Sequence, residues 1–300
     1  MSREENKEIF QDTEKLCKRN PLLIQAWKSS SKLQKLILEN EAVAFEKQIY
    51  EKSANVIVSK KRSFEASMGY DGKNVAVLNF ASASNPGGGV VNGSSAQEES
   101  LCRCSTLYYN LTEDFMWKNF YIPHRRAANP IHNDDLIYTP NVLIFKSDTN
   151  YPRLLPENKW KKVNVITCAA PNLRERPSNA FNSGDENSTV KISDDELEQI
   201  HIKRGRKILE TAVANKNEVV ILGAFGCGAF MNNPNLSEVI LSNKIKKLGF
   251  DIFKNCNKLV KLHYNGTVEE FNKTKYPQKK KWKEGSVLEE IICHNGIIKL

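Results

Sequence analysis

Val77-Leu-Asn-Phe-Ala-Ser-Ala-Ser-Asn-Pro-Gly-Gly-Gly89, followed at Gln97-Glu98-Glu99, decides how this chain is read. An apolar strand runs into a backbone-permissive turn, and the turn opens a helix carrying two adjacent carboxylates. Three consecutive glycines lose conformational entropy on folding and offer no side chain to pack, so they belong where backbone must approach something closely. A glycine turn feeding a helix presents N–H groups and the positive end of the helix dipole, which suits a phosphate or pyrophosphate. The glutamates arrive within one helical turn of that anion site. Together these features point to a phosphorylated, glycosidic or nucleotide-like substrate.

Outward from this stretch, strand candidates fall at Asn55–Val58, Asn74–Phe80, Leu136–Phe145, Val163–Thr167, Glu218–Leu222 and Leu259–His263. Helices are predicted at Glu8–Cys17, Ala26–Asn40 and Glu41–Ala54, then at Ala96–Leu111, Asp194–Asn215 and Leu236–Gly249. Alternating strands and helices with near-continuous apolar strands give an α/β protein, with a mostly parallel or mixed sheet covered by helices on both faces. Pro171–Thr189, rich in Pro, Ser, Asn and Gly, reads as a long loop. The expected organisation is an N-terminal helical extension over residues 1–60, a core over 55–265 and a tail over 266–300. That tail joins a basic linker, Lys273–Lys283, to a β-hairpin turning at Asn295-Gly296.

Composition narrows the class. The chain has 300 residues, 40% hydrophobic and 26% charged, which is ample for one large α/β domain. No run of about 18 apolar residues exists, so no membrane span is expected. The charged start, Met1–Glu8, has no apolar signal core, and the seven cysteines are scattered without a Cys-x-x-Cys pair. The sequence therefore reads as an intracellular, cytoplasmic monomer with reduced thiols and neither a metal nor a cofactor, with the nucleus open if the source is eukaryotic. The net charge of +9 favours polyanions, nucleic acid among them, and the basic tail is the natural place for such a contact. A solvated connector is the plainer reading of that tail, with a polyanion contact or a nuclear-import signal as the alternatives.

Several residues admit a plain structural role beside a chemical one. Ser95-Ala-Gln-Glu98 fits a capping box, and Glu99 stands four residues before Arg103 for a helical surface pair. Consecutive helical residues point about 100° apart, so the glutamates cannot face a ligand alike. Asn79, at the end of its strand, is either a turn cap or a ligand contact. A second glycine loop, Gly223-Ala-Phe-Gly-Cys-Gly-Ala-Phe230, follows the Val219–Leu222 strand; it matches neither a phosphate-binding P-loop nor the dinucleotide fingerprint. Two strand–glycine-loop–helix units in one sheet can converge on one ligand at the carboxyl ends of the strands. Cys227 has no adjoining histidine, which argues against a cysteine nucleophile.

The triplet Gly87–Gly89, the seven residues Val90–Ala96 and then Gln97-Glu98-Glu99 resemble the signature of poly(ADP-ribose) glycohydrolases. Leu78–Ser82, Asn85-Pro86, Ile137–Phe145, Val165–Asn172 and Leu222–Phe230 resemble, in order, the bacterial-type, macrodomain-like branch over roughly residues 5–265. The resemblance implies a macrodomain-like fold and hydrolysis of ribose–ribose O-glycosidic bonds, with Glu99 as acid/base and Glu98 in support. It implies substrate contacts from Asn79, Asn85, Gly87, Gly88, Gly89, Val90 and Gln97. Gly226, Cys227 and Gly228 of the second loop would hold the diphosphate, Ala229 would also touch substrate, and Phe225 or Phe230 would lie against a ribose or the adenine. Ser84 stands where many relatives have arginine, and Val90-Val91 where an aromatic is common. The implied partners are poly(ADP-ribose) or ADP-ribosylated proteins. Two alternatives stay open: an ADP-ribose reader without hydrolysis, and a hydrolase of single ADP-ribosyl groups on protein or nucleic acid.

Overall fold

The computed structural model describes residues 1–45, 54–57, 59, 61–173, 192–223, 225, 238–242, 259–274 and 287–300. The chain divides into two compact units, one of Met1–Ala170 with Ile192–Phe225 and one of Pro171–Lys191 with Gly226–Leu300.

In the first unit, α1 (Arg3–Arg19) is closed at its start by a Ser2/Glu5 capping box. Asn20 ends α1 and caps α2 (Pro21–Ser31), with Pro21 in the first turn where its missing N–H is harmless. The expected helix over Ala26–Asn40 stops at the serine run Ser29–Ser31, and Lys35–Ile37 forms a strand, β1. Serine is a weak helix former, and the Ser30 hydroxyl donates to the Pro140 carbonyl instead, 2.5 Å away. Most of the expected third helix, residues 46–53, and Val58 of the expected strand lie outside the described residues; residues 41–45 and 54–57 are neither helix nor strand, and Val56 and Ile57 are exposed. Then come α3 (Ser63–Ser67), β2 (Val75–Ala81), α4 (Gln97–Cys104), α5 (Leu107–Leu111) and α6 (Asp114–Met116). A π-helical segment, Trp117–Tyr121, leads into α7 (Ile122–Ala127). The unit closes with β3 (Leu136–Ile144), β4 (Lys161–Ala169), α8 (Asp194–Ala214) and β5 (Val219–Ile221). The helix expected over Ala96–Leu111 is broken at Ser105, whose extended backbone bridges to Ile144.

The strands form one mixed sheet in the order β1-β3-β4-β2-β5. Both partners of β2 run parallel to it, whereas β1–β3 and β3–β4 are antiparallel. The Pro140-Asn141 pair is accommodated by a bulge, with Asn141 at φ +57° and its N–H on Asn164 Oδ1. Alternation along β2 sorts its side chains. Val75 and Val77 enter the core shared with Phe10, Phe64, Leu101 and Phe120, while Ala76 and Leu78 pack against Ile208 and Ala212 of α8. Asn79 therefore points toward α4, and Phe80 toward α8.

In the second unit, β6 (Glu238–Ser242), β7 (Lys261–Asn265), β8 (Glu290–Cys293) and β9 (Gly296–Lys299) form a sheet in that order, and α9 (Val268–Asn272) follows β7. The helix expected over Leu236–Gly249 is a strand across its described residues 238–242, because Glu238-Val-Ile-Leu241 pairs in parallel with β7. The expected hairpin is present, but Cys293 pairs with Gly296, so His294-Asn295 make the turn. It pairs with β7 through β8, and Leu288 and Ile291 share a core with Leu262, Tyr264 and Phe271. Residues 174–189 of the long loop and 275–283 of the basic linker lie outside the described residues. Among the described residues no helix is long and apolar enough to cross a membrane.

Candidate active site

The site grows from the carboxyl end of β2, where parallel strands leave room for a ligand. Asn79, level with Thr167 on β4, sends Nδ2 to Thr167 Oγ1 (3.2 Å) and Glu98 Oε1 (3.3 Å). The chain then turns through Ser82–Gly89. Gly87 and Gly88 take left-handed φ values of +67° and +59°, which side chains resist. A short 3₁₀ turn, Val90–Asn92, buries Val90 in the core and delivers the chain to α4.

Both glutamates are buried, Glu98 at 3% exposure and Glu99 at 7%. Glu98 turns back to the strand end, where Oε2 accepts the Ser82 N–H at 2.8 Å and the Gly87 N–H also faces it. Its carboxyl is pushed up to about 8, chiefly by burial, with the charge of Glu99 adding and the Ser82, Asn79 and Gly87 donors opposing. Glu99 turns to the glycines: Oε1 accepts the Gly89 N–H at 2.9 Å, while Oε2 is buried without a protein partner. A Cβ on Gly88 would stand 2.6 Å from Glu99 Oε1 and 3.1 Å from Glu98 Oε2. The glycines thus let main chain lie against both carboxylates.

Three local expectations give way to these longer-range contacts. The Ser95 capping box does not form, since the cap is Ala96 and the Glu98 carboxyl is held by donors 16 and 19 residues earlier. Glu99 does not pair with Arg103, which sends Nη1 to the Ser94 carbonyl at 2.5 Å. The N–H groups of the glycine triplet do not face an external anion: those of Gly87 and Gly89 serve the glutamates, and that of Gly88 returns to the Asn85 carbonyl.

Gln97 acts as a surrogate strand. Its Oε1 accepts the Phe80 N–H (2.9 Å) and its Nε2 donates to the Leu78 carbonyl (2.7 Å) and Ser63 Oγ (3.1 Å), beyond the point where β5 ceases to pair with β2. At the mouth of the second loop, Gly223 lies flat against Phe80, and the Phe225 ring stands 6.1 Å from that of Phe80. Gly226, Cys227, Gly228, Ala229 and Phe230 lie outside the described residues. The structure also brings in residues the sequence reading missed. Ser82 and Thr167 support Glu98 and Asn79. The Tyr121 hydroxyl is buried without a partner, and burial followed by the charge of Glu98 raises its pKa. Arg125 reaches Ser84 and Asn85 from α7. Only Ser82 and Thr167 lay in motifs already quoted; Tyr121 and Arg125 carry no local signal.

The chain is similar to known proteins. The family described as "Microbial-type PARG, catalytic domain" matches residues 5–147, which include the glycine turn and both glutamates. The poly(ADP-ribose) glycohydrolase of Deinococcus radiodurans, solved in complex with ADP-ribose, is 30% identical, covering 69% of this chain and 79% of that one at a TM-score of 0.55. The chain belongs to the microbial-type poly(ADP-ribose) glycohydrolase family. The Thermomonospora curvata glycohydrolase is 28% identical over 76% of this chain and 82% of that one, with a TM-score of 0.63. The same enzyme bound to the inhibitor ADP-HPD matches at 29% and 0.61. No curated protein matches the chain. Membership in this glycohydrolase family agrees with the macrodomain-like mixed sheet read from the sequence.

Proposed function

We infer that the chain is a metal-independent glycosidase that hydrolyses the ribose–ribose O-glycosidic bonds of poly(ADP-ribose) and releases ADP-ribose, with Glu99 as acid/base. The observation that carries this reading is the unpartnered Glu99 Oε2, held beside the glycine turn by the bond from Gly89 N–H to the other oxygen. Cleavage needs a proton on the leaving ribose oxygen and stabilisation of an oxocarbenium-like sugar. Glu99 gives that proton and then takes one from the attacking water. Glu98, with all its donors on the protein side, orients Asn79 and the strand end, and burial raises its own pKa. The glycines admit the ribose edge to the carboxylates. The diphosphate falls to the second loop, Gly226–Gly228, and Phe225 or Phe230 flanks the sugar or adenine. A surplus of positive charge favours a polymer with a diphosphate in every unit.

The test is Glu99→Gln with labelled poly(ADP-ribose). Removing a general acid costs about 10²–10⁴ in rate, so release of ADP-ribose should fall by that factor while calorimetry still registers ADP-ribose binding. Wild-type turnover by Glu99→Gln refutes the assignment. A wild type that binds ADP-ribose and never cuts the polymer is a reader, and one that cuts only single ADP-ribosyl groups is a mono-ADP-ribosyl hydrolase.

A further inference from the structure

The segment between β2 and the glycines has little regular pairing. Ser82 Oγ accepts from the N–H groups of Ser84 (3.3 Å) and Asn85 (3.1 Å), and Gly88 N–H closes back on the Asn85 carbonyl (2.9 Å). Its outer anchor comes from α7. Arg125 donates Nε to the Ser84 carbonyl at 2.6 Å and Nη2 to Asn85 Oδ1 at 2.5 Å, and its guanidinium lies 4.5 Å from the centre of the Trp117 ring. A planar fork that grips a backbone carbonyl and the neighbouring side chain, while stacked on an indole, defines the orientation of both. A guanidinium has donors and no acceptor, so only the oxygen of the Asn85 amide can face it. The Asn85 Nδ2 is thereby turned away from Arg125, at a half-buried position two residues before Gly87. It presents N–H donors of the kind a ribose hydroxyl or phosphate oxygen accepts.

We propose that Arg125 is a positioning residue for substrate: it holds the glycine turn in place and orients the Asn85 amide so that Nδ2 donates to the bound ADP-ribosyl group. This rests on the glycohydrolase reading above. Lysine at this position keeps the charge but serves one acceptor at a time and cannot lie flat on Trp117.

The test compares wild type, Arg125→Met, Arg125→Lys, Asn85→Ala and the double variant Asn85→Ala with Arg125→Met. ADP-ribose binding is read by calorimetry, kcat and KM on poly(ADP-ribose), and folding by thermal unfolding. Arg125→Met should weaken ADP-ribose binding and raise KM about tenfold, the factor of one lost charge-assisted hydrogen bond, with a smaller change in kcat. Arg125→Lys should recover part of the loss. The double variant should bind no more weakly than the weaker single variant, since Arg125 acts through Asn85. A purely scaffolding arginine predicts a lower unfolding temperature with wild-type affinity in the folded protein, and that result overturns the proposal, as do additive losses in the double variant. If Arg125→Met does not fold, Arg125→Lys decides, and wild-type affinity there overturns it. A wild type that binds ADP-ribose but leaves the polymer uncut sinks the glycohydrolase reading while calorimetry still judges Arg125. A wild type that binds no ADP-ribose overturns both.

Discussion

Gly88→Ala tests whether the glycine turn exists to bring main chain against the carboxylates. Gly88 sits at φ +59°, where a non-glycine residue costs roughly 1–2 kcal/mol. A second cost comes from space: the new Cβ would lie 2.6 Å from Glu99 Oε1, and an ordinary contact of 3.4 Å requires the carboxylate or the turn to shift by about 0.8 Å. Gly72 isolates the first cost, because it has φ +70° and nothing within 4 Å of its hypothetical Cβ. Gly72→Ala should therefore destabilise by about 1–2 kcal/mol and leave turnover alone. Gly88→Ala should destabilise by somewhat more and also slow ADP-ribose release about 100-fold, the usual cost of misplacing a catalytic group by about 1 Å. Urea unfolding of the three proteins supplies the stabilities, and release of ADP-ribose from labelled polymer supplies the rates. If Gly88→Ala turns over like wild type and unfolds at the same urea concentration as Gly72→Ala, the close approach has no catalytic meaning.

Other perturbations probe the same framework. The Glu98 carboxyl, raised to about 8 from 4.5, binds its proton more tightly in the folded state; the stability this contributes is complete below pH 4.5 and lost as pH rises through about 8. The stability difference between wild type and Glu98→Gln should fall steadily across that window, and a flat difference contradicts the burial argument. Gln97→Leu strips partners from the Phe80 N–H and Leu78 carbonyl, each worth about 1–3 kcal/mol if left unpaired, so denaturant unfolding should show a clear loss; an unchanged midpoint means the surrogate-strand role is wrong. Truncation after Tyr264 removes Leu288 and Ile291 from the core they share with Leu262 and Tyr264. Amide exchange in β7 should then accelerate to the rate of an open strand, and retained protection would show that the hairpin is dispensable.

Much of the site was legible because its signals are local. The apolar run of β2, the turn-forming glycines and the adjacent glutamates lie within 25 residues, and alternation along the strand places Asn79 on the face that meets α4. The start of α8 at Asp194 matches the sequence reading, whereas α1 and α2 begin at Arg3 and Pro21, five residues before the expected Glu8 and Ala26. The two strands read as helix share one cause. Lys35–Ile37 and Glu238–Ser242 are strands because β3 and β7 lie beside them, 101 and 23 residues further along the chain in the paired registers, and no local preference encodes a neighbour so distant.

The sequence by itself determined that a strand ends in a glycine turn and that two carboxylates follow it on one helix, since backbone freedom and helical spacing are properties of consecutive residues. Tertiary structure decided how each carboxylate is held. Glu98 is surrounded by donors from Asn79, Ser82 and Gly87, whereas Glu99 retains a buried oxygen with no protein partner. It also decided that the anchor of the turn is Arg125, some 40 residues away, because a hydrogen bond depends on distance in space and the chain path that sets this distance is fixed only by packing.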